Sequence, residues 1–181
     1  MLIAREKRIS NISEFILYMW QVEDIIRASG FDIDTIEKNI ISRYKKPREI
    51  LFEIRDWYAG LINSMKEEGI EKRGHLAFLN SLVDDLNDLH VRLLNHSDEQ
   101  EYRALYSQAR PNIEAFIGKT GSQVRSEIEA CLTGLYGFLM MRLKNKEIYK
   151  ETAEALSTFS NLLAYLSKRF LEIEKGEEEL P

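Results

Sequence analysis

Glu23 and Arg27 stand four residues apart, the spacing at which two side chains share one face of a helix. Their arc also holds Ile16 and Trp20. His90 lies on the apolar stripe that carries Leu79 and Leu86. Arg142 continues the face of Cys131, Leu135 and Leu139. Charged side chains are seldom fully buried unless paired. Placed on three apolar faces, Glu23, Arg27, His90 and Arg142 are therefore expected to converge on one polar pocket between three helices, walled by Trp20 and Tyr136. Such a pocket would bind a small molecule or do acid–base work inside a bundle. A plainer alternative stays open beside it. Glu23–Arg27 would be a helix-end ion pair, His90 a core histidine on a backbone carbonyl, and Arg142 a snorkelling side chain.

Other chemistries lack their parts. Gly118-Lys119-Thr120 ends like a phosphate-binding loop, but the glycine needed five residues earlier is Ile113, and the preceding segment reads as helix. No Glu-x-x-His and no His-x-x-x-His occurs. His75, His90 and His96 fall within one expected helix and its ends, spread over roughly 30 Å, so they cannot share an ion within one chain. No serine sits in a nucleophile elbow, and Asp84-Asp85 and Glu23-Asp24 point to different sides of their helices. Cys131 reads as a small core residue with no histidine near it in sequence. Neither a metal nor a cofactor is expected, and no catalytic residue can be assigned.

The elements that must position these residues are helices. The chain has only three prolines and nine glycines, mostly at the ends of periodic segments. Helix one is expected over Ile12 to Ser29, with Asn11 and Glu14 as a capping box and Gly30 as its stop. Helix two spans Thr35 to Tyr44, capped by Asp34 with Glu37 at the third position. Helix three starts at Pro47, ends before Gly69 and carries Ile50, Ile54, Trp57, Tyr58, Leu61 and Met65 on one face. Helix four spans His75 to Leu94, and helix five follows Ser97 with a kink or break near Pro111. Helix six, about 123 to 144, is expected at the centre of the bundle: one face is apolar, and Gly134 and Gly137 on the other suggest close backbone approach. Helix seven spans Lys150 to Glu174. The expectation is an all-α, single-domain bundle of six to seven helices over residues 1–175, with an acidic, disordered tail over 176–181.

Composition agrees. The 181 residues are 44% hydrophobic and 30% charged, which argues against disorder, and a chain of this length folds without disulfide or metal support. A net charge of −5 and a pI near 5.4 show no overall basic balance. The basic groups Arg5, Lys7, Arg8 and Arg43, Lys45, Lys46, Arg48 read as solvated charge, so nucleic acid is not an expected partner. The single cysteine fits a reducing compartment. No apolar run approaches ~20 residues and no cleavage site follows the basic start, so neither a membrane span nor a leader is expected.

The segments Phe15 to Arg27, Gly74-His-Leu, Asp88 to Leu94 and Leu135 to Leu143 resemble a family of uncharacterised bacterial proteins, a domain-of-unknown-function family found chiefly in anaerobes of the gut and mouth. The resemblance covers nearly the whole chain. It implies a bacterial, cytoplasmic, all-α protein and carries no activity, cofactor or site residue. Three functions are thus weighed: a non-enzymatic interaction module that self-associates through helix one, a small-molecule-binding or catalytic bundle, and a helical transcriptional regulator.

Overall fold

The computed structural model describes residues 1–120, 124–177 and 179. Among these lie eight α-helices, one 3-10 turn and no strand, so the fold class is all-α. The helices are α1 (Leu2–Ser10), α2 (Ile12–Ala28), α3 (Ile33–Asn39), α4 (Arg48–Glu67), α5 (Ala77–Asn95), α6 (Gln100–Thr120), α7 (Glu127–Leu143) and α8 (Lys150–Glu174). The 3-10 turn is Ile41–Arg43, between α3 and α4.

Eight helices replace the expected six or seven. The additional one is α1, which carries Arg5, Lys7 and Arg8 and buries only Ala4, so no apolar stripe announces it. The second expected helix is shorter and starts earlier. The Asp32 carboxylate, not that of Asp34, caps α3 by accepting from the backbone N–H of Asp34 (3.3 Å) and Thr35 (3.2 Å). Asp34 and Glu37 instead bind Arg55 of α4, at 2.9 and 2.7 Å. After Asn39 the chain tightens into the 3-10 turn rather than continuing as α-helix to Tyr44. No break occurs at Pro111: α6 runs through it. Pro111 and Ser107 are exposed while Ala109 and Ile113 are buried, so the freed carbonyl faces water and the packed face carries the helix past it.

The helices group into two compact units, Met1–Arg8 with Glu14–Ser81, and Ile9–Ser13 with Leu82–Pro181. In the first, α4 packs on α3 and on the 3-10 turn. Gly30, at φ 63°, lets the Phe31 N–H reach the Ile26 carbonyl at 3.1 Å and closes α2. Gly69, at φ 67°, closes α4 the same way through Ile70 and Met65 at 3.0 Å, and so delivers the segment that precedes α5. The apolar residues of α2 that suggested self-association, among them Phe15, Ile16, Met19, Trp20, Val22 and Ile26, are all buried within the single chain.

In the second unit, α8 lies against both α6 and α7, and α6 against α7. Gln123, the expected start of the sixth helix, lies outside the described residues, as do 178, 180 and 181 of the acidic tail. α7 starts on a capped turn: the N-cap Ser126 accepts from Glu129 N (3.1 Å), and Glu129 reaches back to accept from Arg125 N (2.6 Å). Its first half is buried on both sides, with Ile128, Ala130, Cys131, Leu132 and Gly134. A Cβ on Gly134 would stand 3.0 Å from the Phe159 ring and 3.2 Å from Leu156, the close approach expected of it. Gly137 faces open space.

Candidate functional site

Glu23, Arg27 and Trp20 belong to the first unit. Glu23 is wholly buried on α2, and the 70–76 segment is bound to it. It accepts from the backbone N–H of Leu76 at 2.9 Å and from His75 Nδ1 at 2.6 Å. A carboxylate only accepts, so Nδ1 carries the proton. Arg27 lies 4.0 Å from Glu23, bonds Asp24 at 3.0 Å, and donates to the carbonyls of Ile70 (3.2 Å) and Gly74. Trp20 stacks on the His75 ring at 4.3 Å and 16°. The group pins the start of α5 to α2. It also holds His75, whose side chain is 30% exposed, in one orientation, as a carboxylate holds a catalytic or ligating histidine.

His90, Tyr136 and Arg142 belong to the second unit. His90 is buried, with Nδ1 2.6 Å from the Tyr102 hydroxyl and Nε2 3.1 Å from Glu127. The two bonds fix its protons: Nε2–H donates to the carboxylate and the Tyr102 hydroxyl donates to Nδ1. Tyr106 donates to the other Glu127 oxygen at 3.1 Å. The hydrogen bond from His90 holds the Glu127 carboxyl below its usual range, against burial, with Tyr106 helping. Burial pushes the Tyr102 phenol and the Cys131 thiol well up, so neither is a ready nucleophile. Glu99 extends the polar set, accepting from Tyr165 at 2.9 Å and pairing with Arg169 at 2.8 Å. Arg142 is exposed at the end of α7, its guanidinium 5.7 Å from the Phe138 ring centroid, and Tyr136 is half-buried. The predicted charged residues thus find partners within their own units: Glu23 and Arg27 along the 70–76 segment, His90 with Tyr102 and Glu127.

A third arrangement was not foreseen. In the first unit, Tyr18 of α2, Tyr44 after the 3-10 turn and Tyr58 of α4 line a cavity of about 260 Å³. Lys46 and Glu6 stand on its wall, with Leu2, Ile3 and Ile54 as the apolar part. Burial pushes the Tyr18 phenol up to about 12, with Tyr44 adding to it. Burial raises Tyr58 further, with contributions from Tyr18 and Tyr44. Among the described residues no protein group hydrogen-bonds any of these three hydroxyls. The sequence held one signal: phenols at Tyr18 and Tyr58 on otherwise apolar faces. Nothing in the spacing paired them with Tyr44 or with the charged first helix.

A family model described as Domain of unknown function (DUF4924) matches residues 1–177, and the chain belongs to that family. No curated protein and no solved structure matches it.

Proposed function

We propose that this member of a family without assigned activity is a small-molecule-binding helical module, and that its first unit holds the ligand in the tyrosine-lined cavity. One observation carries the reading: three tyrosines with no hydrogen bond to another protein group among the described residues line one cavity together with an apolar wall. Ligand pockets have this make-up, a hydrophobic lining with a few convergent polar groups. By contrast, Glu23 is itself hydrogen-bonded to His75 and the Leu76 N–H, and His90 to Tyr102 and Glu127.

The test is a thermal-shift screen of small fragments on the wild-type chain and on the Y18F/Y58F double variant. A fragment at a hundredfold excess over its Kd stabilises the native state by about 2.7 kcal/mol, which such a screen resolves. Stabilisation of the wild type that is lost in the double variant is expected. If no fragment shifts the melting temperature at millimolar concentration, or if the variant responds equally, the reading fails.

A second reading, self-association, is favoured by a different observation. Leu143, the last residue of α7, and Tyr149, the N-cap of α8, are 61% and 70% exposed. Light scattering on the wild type and on L143E tests it. A wild-type monomer at tens of micromolar removes it.

A further inference from the structure

The lining of the tyrosine cavity constrains the chemistry of its occupant. A phenol that keeps its proton offers an O–H donor. Burial keeps Tyr18 and Tyr58 protonated far above neutral pH. Lys46, a cationic residue, lines the same cavity. Phenols and a lysine lining one cavity suit a group rich in acceptors and negatively charged, which takes the stronger, charge-assisted hydrogen bonds. A cationic ligand would need ring faces turned toward it. Lys46 on the same wall would repel a cation. Glu6, also on the wall, is already engaged within the chain.

The rest of the lining is Met1, whose amino group burial pushes down to about 6, and the hydrocarbon of Leu2, Ile3 and Ile54. Leu2 and Ile3 are each 41% exposed, so an apolar body laid on them would remove that surface from water. The volume, about 260 Å³, falls just below the range of roughly 300–1,000 Å³ typical of drug-sized ligands, which limits the occupant to a small one. Building on the reading above, we infer that the ligand is a small aliphatic or aromatic monocarboxylate. Its carboxylate meets the Tyr18, Tyr44 and Tyr58 hydroxyls and Lys46, and its hydrocarbon covers Leu2 and Ile3.

Titration calorimetry on the full chain tests this with three probes of one length: hexanoate, hexanamide and hexylamine. Hexanoate binds, and the amide and amine bind at least about tenfold more weakly. Y58F weakens hexanoate about tenfold, the effect of one lost hydrogen bond to a charged group. K46Q also weakens it, and Y106F, in the second unit, leaves it unchanged. Should Y58F lose helix content by circular dichroism, Y18F takes its place. Equal binding of hexanamide or hexylamine overturns the carboxylate while leaving the cavity reading intact, as does silence from all three probes when fragments still bind. Hexanoate affinity unchanged in both Y58F and K46Q overturns the placement of its head group. Silence from probes and fragments alike overturns both readings.

Discussion

The two units use the same side chain in opposite ways. In the second, Tyr102 is bonded to His90, Tyr106 to Glu127 and Tyr165 to Glu99. In the first, Tyr18, Tyr44 and Tyr58 end at a cavity without a protein hydrogen bond among the described residues. Burial raises the phenol pKa of Tyr18 and Tyr58 in the first unit and of Tyr102, Tyr106 and Tyr165 in the second, so burial does not separate these tyrosines. The separation lies in what the hydroxyl meets. A bonded buried hydroxyl contributes to holding the fold, because removing it leaves its partner unsatisfied. An unbonded one at a cavity contributes little to stability and remains available to a ligand. Stability measurements on single variants should therefore sort polar residues into those that hold the fold and those that bind.

The largest effect is expected at Glu23, the bonded extreme within the first unit. Replacing it by alanine strips the Leu76 N–H and His75 of their acceptor and removes the carboxylate beside Arg27. Removing one partner of a buried charged set costs about 3–5 kcal/mol. Arg27 keeps Asp24 and two carbonyls, which places Glu23→Ala near the lower end, about 3 kcal/mol. The urea midpoint at constant slope measures this. A loss below about 1 kcal/mol would mean that water replaces the carboxylate and that the group is not a structural anchor.

Next comes Tyr102→Phe, the counterpart in the second unit. It keeps the ring and leaves the buried His90 Nδ1 without a donor, for an expected loss of about 1–3 kcal/mol. The same unfolding titration reads it. A neutral result would abolish the contrast between the two sets of tyrosines.

A smaller effect, dependent on pH, belongs to Glu127. Its folded pKa is depressed, chiefly by the hydrogen bond from His90. The native state therefore binds this proton less readily than the unfolded chain. Its contribution is fully present above the unfolded carboxyl value of about 4.3 and is lost as pH falls through the folded value. The side chain is 33% exposed, so the contribution is smaller than that of Tyr102. Glu127→Gln should flatten stability against pH between about pH 5 and pH 3 while leaving the neutral region nearly parallel to wild type. Parallel curves throughout that acid range would show that His90 does not favour the charged form.

Much of the fold is legible in the sequence because helix periodicity and stop residues are local. α8 spans Lys150–Glu174 as expected, and Gly30 and Gly69 end α2 and α4 where their positions predict. What escapes is information carried by distant residues. α1 lacks a stripe, and its role at the cavity depends on Tyr44 and Tyr58, some forty to fifty positions away in sequence. The site was legible only in fragments. Glu23, Arg27 and His90 stand out in the sequence because a charge or an imidazole on an apolar face demands a partner. The partners themselves, His75, Tyr102 and Glu127, come from turns of chain whose pairing no spacing rule specifies. Arg142 shows the limit of phase alone: it continues a buried face but stands past its packed part, where α7 is exposed.

The smallest expected effect is the sharpest test of the comparison. Tyr58 is 2% exposed, and a substitution at so buried a site would ordinarily be destabilising. Tyr58→Phe keeps the ring, its packing and its edge-on contact with Trp57 at 5.1 Å, and deletes only the hydroxyl at the cavity. No protein donor or acceptor is orphaned, so the expected change is within about 0.5 kcal/mol, against about 1–3 kcal/mol for the same substitution at Tyr102. The paired measurement isolates hydrogen-bond status, because both rings are buried and both replacements are identical. A loss at Tyr58 matching that at Tyr102 would assign this hydroxyl to the fold and remove it from the ligand site. Indifference at Tyr58 together with a loss at Tyr102 leaves the cavity hydroxyls without a structural task, and binding is the task that their geometry then supports.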